Sequence, residues 1–207
     1  KSYAMINVGG IVLCGGQSRR MGKSKAWLQV GQKTMLSRIV DIVRETVSPV
    51  AVVAGHGQSL PPLPPDVILI RDPVSSKGPL MGVYMGLKHL RHEVEAVFVT
   101  GCDTPLLRRE CIEFLIHRLD KWDIVAAKEG DFFHPLFGVY RTSVVSQIIP
   151  LLRDNRLSLQ GFLGTCKTRG ISLADLSVVD PTLDSIRNVN TPEEYQEILD
   201  IVLQQEG

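Results

Sequence analysis

The feature that most constrains the fold of this chain is the alternation of short apolar runs with segments of helical character. Runs typical of buried strands lie at 8–14, 50–54, 67–70, 96–100 and 123–127. Segments that predict helices lie between them, at 34–47, 79–90 and 105–119. Repeated strand–helix–strand order favours parallel strands joined by right-handed crossovers. We therefore expect an α/β protein with a Rossmann-like three-layer fold, in which helices flank a mostly parallel central sheet.

The second part of the chain is less regular. Residues 132–140 predict a strand interrupted by Pro135, and further helices are predicted at 142–152, 158–163 and 192–203. The last helix has a complete start signal, with Thr191 as N-cap, Pro192 at the first helical position and Glu194 as capping-box partner. Because no linker interrupts the first 130 residues, we expect a single domain over 1–207.

Composition excludes several classes of function. The chain has 23 basic and 22 acidic residues, so its net charge of +1 gives no bulk attraction to nucleic acid or to an acidic membrane. No apolar stretch approaches the roughly 20 residues of a membrane helix, and the N-terminal residues lack the apolar stretch of a signal peptide. The four cysteines are scattered, as in a reducing compartment. We therefore expect a cytoplasmic protein that binds neither nucleic acid nor membrane.

A glycine-rich, cationic segment follows the first predicted strand. Residues 13–25 read Leu-Cys-Gly-Gly-Gln-Ser-Arg-Arg-Met-Gly-Lys-Ser-Lys. Glycine lets backbone N–H groups approach phosphate oxygens, and Arg and Lys neutralise their charge. A glycine-rich turn with solvated basic residues is the alternative. The P-loop pattern is missed by one residue, because Gln17 stands where its first glycine belongs, and G-x-G-x-x-G is absent.

Two aspartates follow later strands. Asp103 comes after the run at 96–100, where a carboxylate can hold Mg²⁺ while the metal bridges triphosphate oxygens. We expect a helix from Pro105 with Thr104 as its N-cap, which leaves Asp103 available; capping by Asp103 itself is the alternative. Asp72 is weaker evidence, since Asp-Pro is also a common turn. Parallel sheets bind ligands beyond the carboxyl ends of their strands, so we expect 15–25, Asp72 and Asp103 on one rim.

Four motifs together resemble the molybdenum cofactor guanylyltransferase family. They are Leu13-x-Gly-Gly-x-x-x-Arg20-Met-Gly-x-x-Lys25, Gly78-Pro-Leu-x-Gly82, Cys102-Asp-Thr-Pro105 and Asn188-Val-Asn-Thr-Pro-Glu-Glu194. The first motif alone marks a broad superfamily of nucleotidyltransferases, whereas the combination is much narrower. The motifs extend from the first predicted strand to the last predicted helix, so the resemblance covers nearly the whole chain.

The resemblance implies an enzyme that transfers GMP from GTP to the terminal phosphate of molybdopterin, releases pyrophosphate and uses Mg²⁺. It implies GTP and molybdopterin as substrates, molybdenum cofactor insertion proteins as partners, 1–130 as the nucleotide-binding half and 131–207 as the acceptor-side half. The implied catalytic residues are Arg20, Lys25 and Asp103, with Asp103 as metal ligand. The implied nucleotide-binding residues are Leu13, Cys14, Gly15, Gly16, Lys25, Ala54, Asp72 and Gly78. The implied acceptor-binding residues are His134, Arg156, Asn188 and Asn190.

The chain departs from the family pattern at two positions and leaves alternatives open. Cys14 stands where the family usually has Ala, and Ser24 stands where it often has Asp. The loose fit of 54–57 to the base-reading region leaves guanine selectivity open. A related nucleotidyltransferase that uses CTP or a sugar-1-phosphate acceptor is one alternative, and a non-catalytic nucleotide-binding homologue is another. A single His before Pro, as at His134, is more often a packed or surface residue than a substrate contact.

Overall fold

The fold was analysed in a computed structural model, which describes residues 6–14, 24–72 and 78–206. The strands are β1 (Val8–Leu13), β2 (Gln29–Val30), β3 (Lys33–Thr34), β4 (Val50–Gly55), β5 (Ile68–Asp72), β6 (Ala96–Gly101), β7 (Ile124–Glu129), β8 (Phe132–Arg141) and β9 (Thr168–Ser172). The α-helices are α1 (Met35–Thr46), α2 (Gly78–Leu90), α3 (Arg109–Ile116), α4 (Val145–Arg153), α5 (Leu159–Leu163), α6 (Leu173–Leu176) and α7 (Pro192–Glu206).

Seven strands form a central sheet in the order β5-β4-β1-β6-β8-β7-β9. Strands β5, β4, β1 and β6 are parallel to one another, β8 is antiparallel to both of its neighbours, and β9 is parallel to β7. The expectation of a mostly parallel α/β sheet is therefore confirmed. The parallel half directs the carboxyl ends of β1, β4, β5 and β6 to the same rim, which is where such sheets bind ligands.

Two hydrophobic clusters cover the two faces of this sheet. Helices α1, α3 and α6 bury their apolar sides against one face, and α2, α4 and α5 bury theirs against the other. A third cluster joins the small β2–β3 hairpin and α7 to the rim, through Val30, Leu106, Val189, Ile198 and Val202. This third cluster brings the C-terminal helix to the rim at which β6 ends.

The region after β6 differs from its prediction. Helix α3 begins at Arg109 instead of Pro105 and ends at Ile116 instead of at 119, and Thr104 does not cap it. Residues 102–108 form turns and irregular structure, because Leu106 packs into the cluster around α7 while Leu107 packs into the core under α1. In a helix that begins at Pro105, the consecutive leucines would point only about 100° apart around the helix axis. They could then not pack into two separate clusters.

The other differences involve weak signals. Strand β8 is continuous through Pro135, and its register with β7 shifts between Ala126 and Ala127, where a bulge accommodates the proline. Residues 142–144 form a 3-10 turn ahead of α4. The hairpin β2–β3, strand β9 and helix α6 had not been predicted. No helix among the described residues combines the length and apolarity needed to cross a membrane.

Gly10 in β1 lets α1 pack directly on the sheet. A Cβ at this position would lie 2.4 Å from Cγ1 of Val43 in α1. Because a valine side chain has little rotameric freedom in a helix, Gly10→Ala should lower the free energy of unfolding by about 1–3 kcal/mol, as measured by denaturant titration. The matched control is Gly161→Ala, whose new methyl would meet nothing closer than 3.5 Å.

Val43→Ala tests the origin of this effect. It removes the atom that the new methyl group at position 10 would strike, so the double variant Gly10→Ala/Val43→Ala should be more stable than the sum of the two single effects predicts. Additive losses in the double variant would show that Gly10 is required for some reason other than contact with Val43.

Candidate active site

A cleft of about 530 Å³ opens at the carboxyl ends of the parallel strands. It is bounded by the residues that follow β1 and β6, by the start of α2 and by the loop after β4. Among the described residues, those lining it are Leu13, Cys14, Ser24, Lys25, Ala26, Val53, Ala54, Gly55, His56, Gln58, Asp72, Gly78, Pro79, Gly82, Gly101, Cys102, Asp103 and Leu136. Of the polar residues expected on one rim, Lys25, Asp72 and Asp103 thus line one cavity, whereas 15–23 lie outside the described residues.

Lys25 lies at the centre of a polar group on the edge of this cleft. Its Nζ donates to Oδ2 of Asp103 at 2.9 Å and to Oδ1 of Asn190 at 2.8 Å. The Lys25 and Asp103 side chains are 18% and 23% exposed, so the ion pair is open to a ligand but partly shielded from water. Three residues separated by 78 and 165 positions in the chain therefore converge within hydrogen-bonding distance.

Local structure fixes each member of this group. Lys25 opens a 3-10 turn that ends at Trp27, whose indole N–H donates to the Ser59 carbonyl at 3.2 Å. Asp103 follows β6, and its backbone carbonyl accepts from the Val189 N–H at 2.9 Å. That bond aligns the segment before α7 with the rim and places the next residue, Asn190, beside Lys25.

The start of α7 forms the expected capping box. Thr191 Oγ1 accepts from the Glu194 N–H at 3.2 Å, and the Glu194 carboxylate accepts from the N–H groups of Thr191 and Asn190 at 3.0 and 2.6 Å. The side chain of Asn190 is therefore free to face Lys25 while its backbone is held by the helix start.

Thr104, expected to be a helix cap, stabilises the turn after β6. Its hydroxyl hydrogen-bonds with the Thr100 hydroxyl at 3.1 Å and donates to the Gly101 carbonyl at 3.3 Å. Both threonines are buried, so these bonds hold the end of β6 in a closed turn directly beside Asp103. The alternative that Asp103 caps the following helix is also wrong, since α3 starts at Arg109.

Gln58 joins the ends of β1 and β4, a role that sequence reasoning missed. Its Nε2 donates to the Cys14 carbonyl at 2.8 Å, and its Oε1 accepts from the Gly55 N–H at 3.0 Å. Arg71 on β5 donates to the carbonyls of Gly55 and Gln58 and closes the same loop. An amide in a glycine- and proline-rich loop gives no sequence signal, because the same pattern is typical of a solvated turn.

Replacing Gln58 tests this clamp. Gln58→Ala leaves the Cys14 carbonyl and the Gly55 N–H without partners at the mouth of the cleft, so we expect a loss of about 1–3 kcal/mol in unfolding free energy. Gln58→Glu is the discriminating variant, because a carboxylate still accepts from Gly55 but cannot donate to Cys14. It should lose part of that stability in denaturant titrations, and stability equal to wild type in both variants would contradict the role.

Two thiols lie side by side at the floor of the cleft. The hydrogen bond that Cys14 shares with Cys102, together with burial, holds the pKa of the Cys14 thiol well above its ordinary value. The Cys14 thiol is therefore neutral at physiological pH and adds no negative charge next to a bound anion.

The remaining predicted residues divide into three groups. Leu13, Cys14, Ala54, Asp72 and Gly78 all line the cleft. Gly15, Gly16 and Arg20 lie outside the described residues. None of the four predicted acceptor-side residues lines the cleft itself. Asn190 hydrogen-bonds to Lys25, which does line it, whereas His134 faces Glu129 at 3.6 Å and Arg156 and Asn188 are exposed.

The few oxygen ligands at the site suit a cation that takes most of its ligands from water and substrate. No group of three or more His, Cys, Asp or Glu side chains able to hold a metal occurs within 6–14, 24–72 and 78–206. The cleft instead offers the Asp103 carboxylate with the Asn190 amide oxygen nearby. Mg²⁺ typically binds to one or two carboxylates and completes its shell with water and substrate phosphates, so this sparse set fits it.

Comparison with known proteins identifies related chains. A family model described as the MobA-like NTP transferase domain matches residues 10–166. A protein from Desulfosudis oleivorans named molybdenum cofactor guanylyltransferase is 32% identical over 191 residues, covering 91% of this chain and 93% of the relative.

Solved structures share the fold. Molybdopterin-guanine dinucleotide biosynthesis protein A from Archaeoglobus fulgidus superposes with a TM-score of 0.78 at 19% identity, covering 95% of this chain and 99% of that one. A protein of Mycobacterium tuberculosis H37Rv, solved as a complex with manganese, superposes with a TM-score of 0.60 at 15% identity, covering 94% of this chain and 98% of that one.

Proposed function

Because this chain belongs to the family of MobA-like NTP transferase domains and is a nucleotidyltransferase, we propose that it transfers GMP from GTP to the terminal phosphate of molybdopterin and releases pyrophosphate. The observation that carries the proposal is the convergence of Lys25, Asp103 and Asn190 at the edge of one cleft. A relative named molybdenum cofactor guanylyltransferase supports the choice of nucleotide and acceptor.

The chemistry of the acceptor explains why this small set of residues is sufficient. A phosphate monoester is already ionised at neutral pH, so the attack on the α-phosphorus needs no strong general base. The main barrier is the repulsion between two anions. Positioning and charge neutralisation therefore supply most of the catalysis, as in other phosphoryl transfers.

We assign catalysis to Arg20, Lys25 and Asp103. Asp103 holds Mg²⁺, which when bound neutralises charge on the triphosphate. In the structure, the Lys25 ammonium pairs with Asp103 at 2.9 Å. With nucleotide present, Lys25 turns to the phosphate oxygens, and Arg20 in the glycine-rich segment adds a second cation. The manganese in the M. tuberculosis structure supports a divalent cation in this fold.

The two halves of the chain divide the substrates between them. We propose that 1–130 bind the nucleotide, through Leu13, Cys14, Gly15, Gly16, Lys25, Ala54, Asp72 and Gly78. We propose that 131–207 bind the acceptor, through His134, Arg156, Asn188 and Asn190. The bond from Lys25 to Asn190 supports a junction of the halves at the reacting phosphates.

The proposal is tested by the identity of the product. The protein is incubated with molybdopterin, Mg²⁺ and either GTP, ATP or CTP, and any dinucleotide is identified by mass. We expect molybdopterin guanine dinucleotide and pyrophosphate with GTP alone. A cytosine dinucleotide would show a cytidylyltransferase, and no product with any nucleotide would refute the proposed reaction. The nucleotide that raises the melting temperature most in the presence of Mg²⁺ should also be GTP.

A further inference from the structure

Cys14 and Cys102 both line the cleft, and the proposed reaction gives neither thiol a chemical role, although Cys14 is among the residues proposed to bind the nucleotide. Cys14 follows β1 and Cys102 follows β6. These parallel strands are paired up to Leu13 and Gly101, and the Cys102 N–H continues the ladder by donating to the Leu13 carbonyl at 2.9 Å. Cys14 and Cys102 are therefore lateral neighbours, each one residue beyond the last paired position of its strand.

The backbone geometry at this pair suits a covalent link. Neighbouring strands lie about 4.7–4.9 Å apart, which falls inside the range of about 4.4–6.8 Å between the Cα atoms of a disulfide. Both side chains belong to the same buried cluster, so they project from the same face of the sheet. Both thiols are free. The link therefore requires only a local shift of the two strand ends, at which the sulfurs approach each other.

Access to this pair is limited to the cleft. The two residues are 4% and 7% exposed, and both line the cavity of about 530 Å³. A bulky disulfide reagent is poorly suited to such a position, whereas a small oxidant can enter. The neutral state of the Cys14 thiol makes the pair slow to react, so the reaction requires an oxidant in excess.

We propose that Cys14 and Cys102 are a modification site, at which hydrogen peroxide forms a reversible disulfide that closes the nucleotide cleft. One sulfur attacks the peroxide, and an S–O bond forms as the O–O bond breaks. Water is released, and the attacking cysteine becomes a sulfenic acid. The other sulfur attacks the sulfenic sulfur, the S–S bond forms as the S–O bond breaks, and a second water leaves. Two thiols thus give two electrons and two protons to one peroxide.

The position of the link explains its effect on the cleft. Cys14 directly precedes the glycine-rich segment, and Cys102 directly precedes Asp103. Drawing the sulfurs to about 2.05 Å shifts the ends of both strands at the place where Asp103 meets Lys25. Loss of nucleotide binding rests on the proposed function, whereas formation of the link does not.

The test uses the whole reduced protein, treated with excess hydrogen peroxide, blocked with iodoacetamide and digested without reduction. Mass spectrometry should find the peptides of Cys14 and Cys102 joined, with the loss of two hydrogens, and dithiothreitol should separate them. The melting-temperature rise given by GTP and Mg²⁺ should disappear on oxidation and return on reduction. GTP present during the treatment should slow the cross-linking.

Variants separate this site from the other thiols. Cys166→Ala should still form the link, because that cysteine lies on another part of the fold, whereas Cys14→Ala should not. The link itself is detected in the wild-type protein, so a variant that fails to fold cannot obscure this result. Oxidation confined to Cys166, or sulfinic acid at Cys14 or Cys102 without a link, would overturn the proposal. If the link forms in a protein that GTP does not stabilise, the modification site is supported and only the proposed nucleotide is refuted.

Discussion

Replacing Lys25 with alanine is expected to lower turnover by about 100-fold or more, which is the effect of removing one donor that stabilises a transition state. Its ammonium contacts Asp103 and Asn190 at 2.9 and 2.8 Å on the edge of the cleft, where we propose that the phosphates of GTP bind. Asp103→Asn keeps the size of the side chain, removes the charge that we propose to hold Mg²⁺, and should give a loss of similar size. Turnover is measured as pyrophosphate released under saturating GTP and molybdopterin.

Lys33→Ala is the matched control for this prediction. Lys33 also forms an ion pair, with Asp41 at 2.6 Å, but it lies on β3 away from the residues that line the cleft. Its replacement should leave turnover within about twofold of wild type, since Lys33 is not among the residues that line the cleft, and loss of an exposed ion pair costs only about 0–1 kcal/mol of stability. Wild-type turnover in Lys25→Ala or Asp103→Asn would remove both residues from the catalytic assignment.

Replacing Arg108 with alanine is expected to have the largest effect on stability. Its guanidinium lies 3.4 Å from Asp180 and 3.9 Å from Asp184, two carboxylates that are 0% and 6% exposed. Removing the arginine takes the cation away from the buried Asp180 and leaves Asp184 paired, among the described residues, with Arg187 alone, at 3.5 Å. Breaking a buried pair typically costs about 3–5 kcal/mol. Because 37% of the Arg108 side chain is exposed, we expect a smaller loss of about 2–3 kcal/mol in the free energy of unfolding.

The neighbouring arginine provides the control for Arg108. Arg109 pairs with Glu113 at 3.0 Å on an exposed face of α3, so Arg109→Ala should change unfolding free energy by less than about 0.5 kcal/mol. Equal effects of the two substitutions in denaturant titrations would show that Asp180 and Asp184 do not depend on Arg108. A large effect confined to Arg108 would tie the stability of the segment before α7 to this cluster.

The segment before α7 links the Arg108 cluster to the candidate active site. Asp180 accepts from the Ser185 N–H at 2.8 Å, and the Ser185 hydroxyl accepts from the Arg108 N–H at 3.1 Å. These bonds fix the chain a few residues ahead of Val189, which binds the Asp103 carbonyl. Asn190 therefore reaches Lys25 because the preceding segment is anchored to the start of α3.

The sequence predicts those parts of the fold whose sequence patterns lie within a single helix or strand. Strands β1, β4 and β6 are buried on both faces, so each reads as an unbroken apolar run. The start of α7 was predictable because its capping box lies within four residues, from Thr191 to Glu194. The common rim followed from topology, since parallel strands direct their carboxyl ends to one edge.

The parts that were missed depend on partners distant in sequence. Strand β9 reads Thr-Arg-Gly-Ile-Ser and buries only Ile171, so its pairing with β7 has no apolar signal of its own. The start of α3 is decided by Leu106 and Leu107, which pack into different clusters. Gln58 acquires its role only when the ends of β1 and β4 come together. None of these contacts is encoded by local periodicity.

We propose that Lys25 and Asp103 act on the same polyphosphate. The most direct test is a crystal structure of the protein with Mg²⁺ and a non-hydrolysable GTP analogue. We expect a metal ion about 2.0–2.1 Å from an Asp103 oxygen and bonded to the triphosphate. We also expect Lys25 Nζ about 2.7–2.9 Å from an oxygen of the same triphosphate. A nucleotide bound elsewhere, or bound in the cleft with Lys25 still paired to a metal-free Asp103, would contradict the proposal.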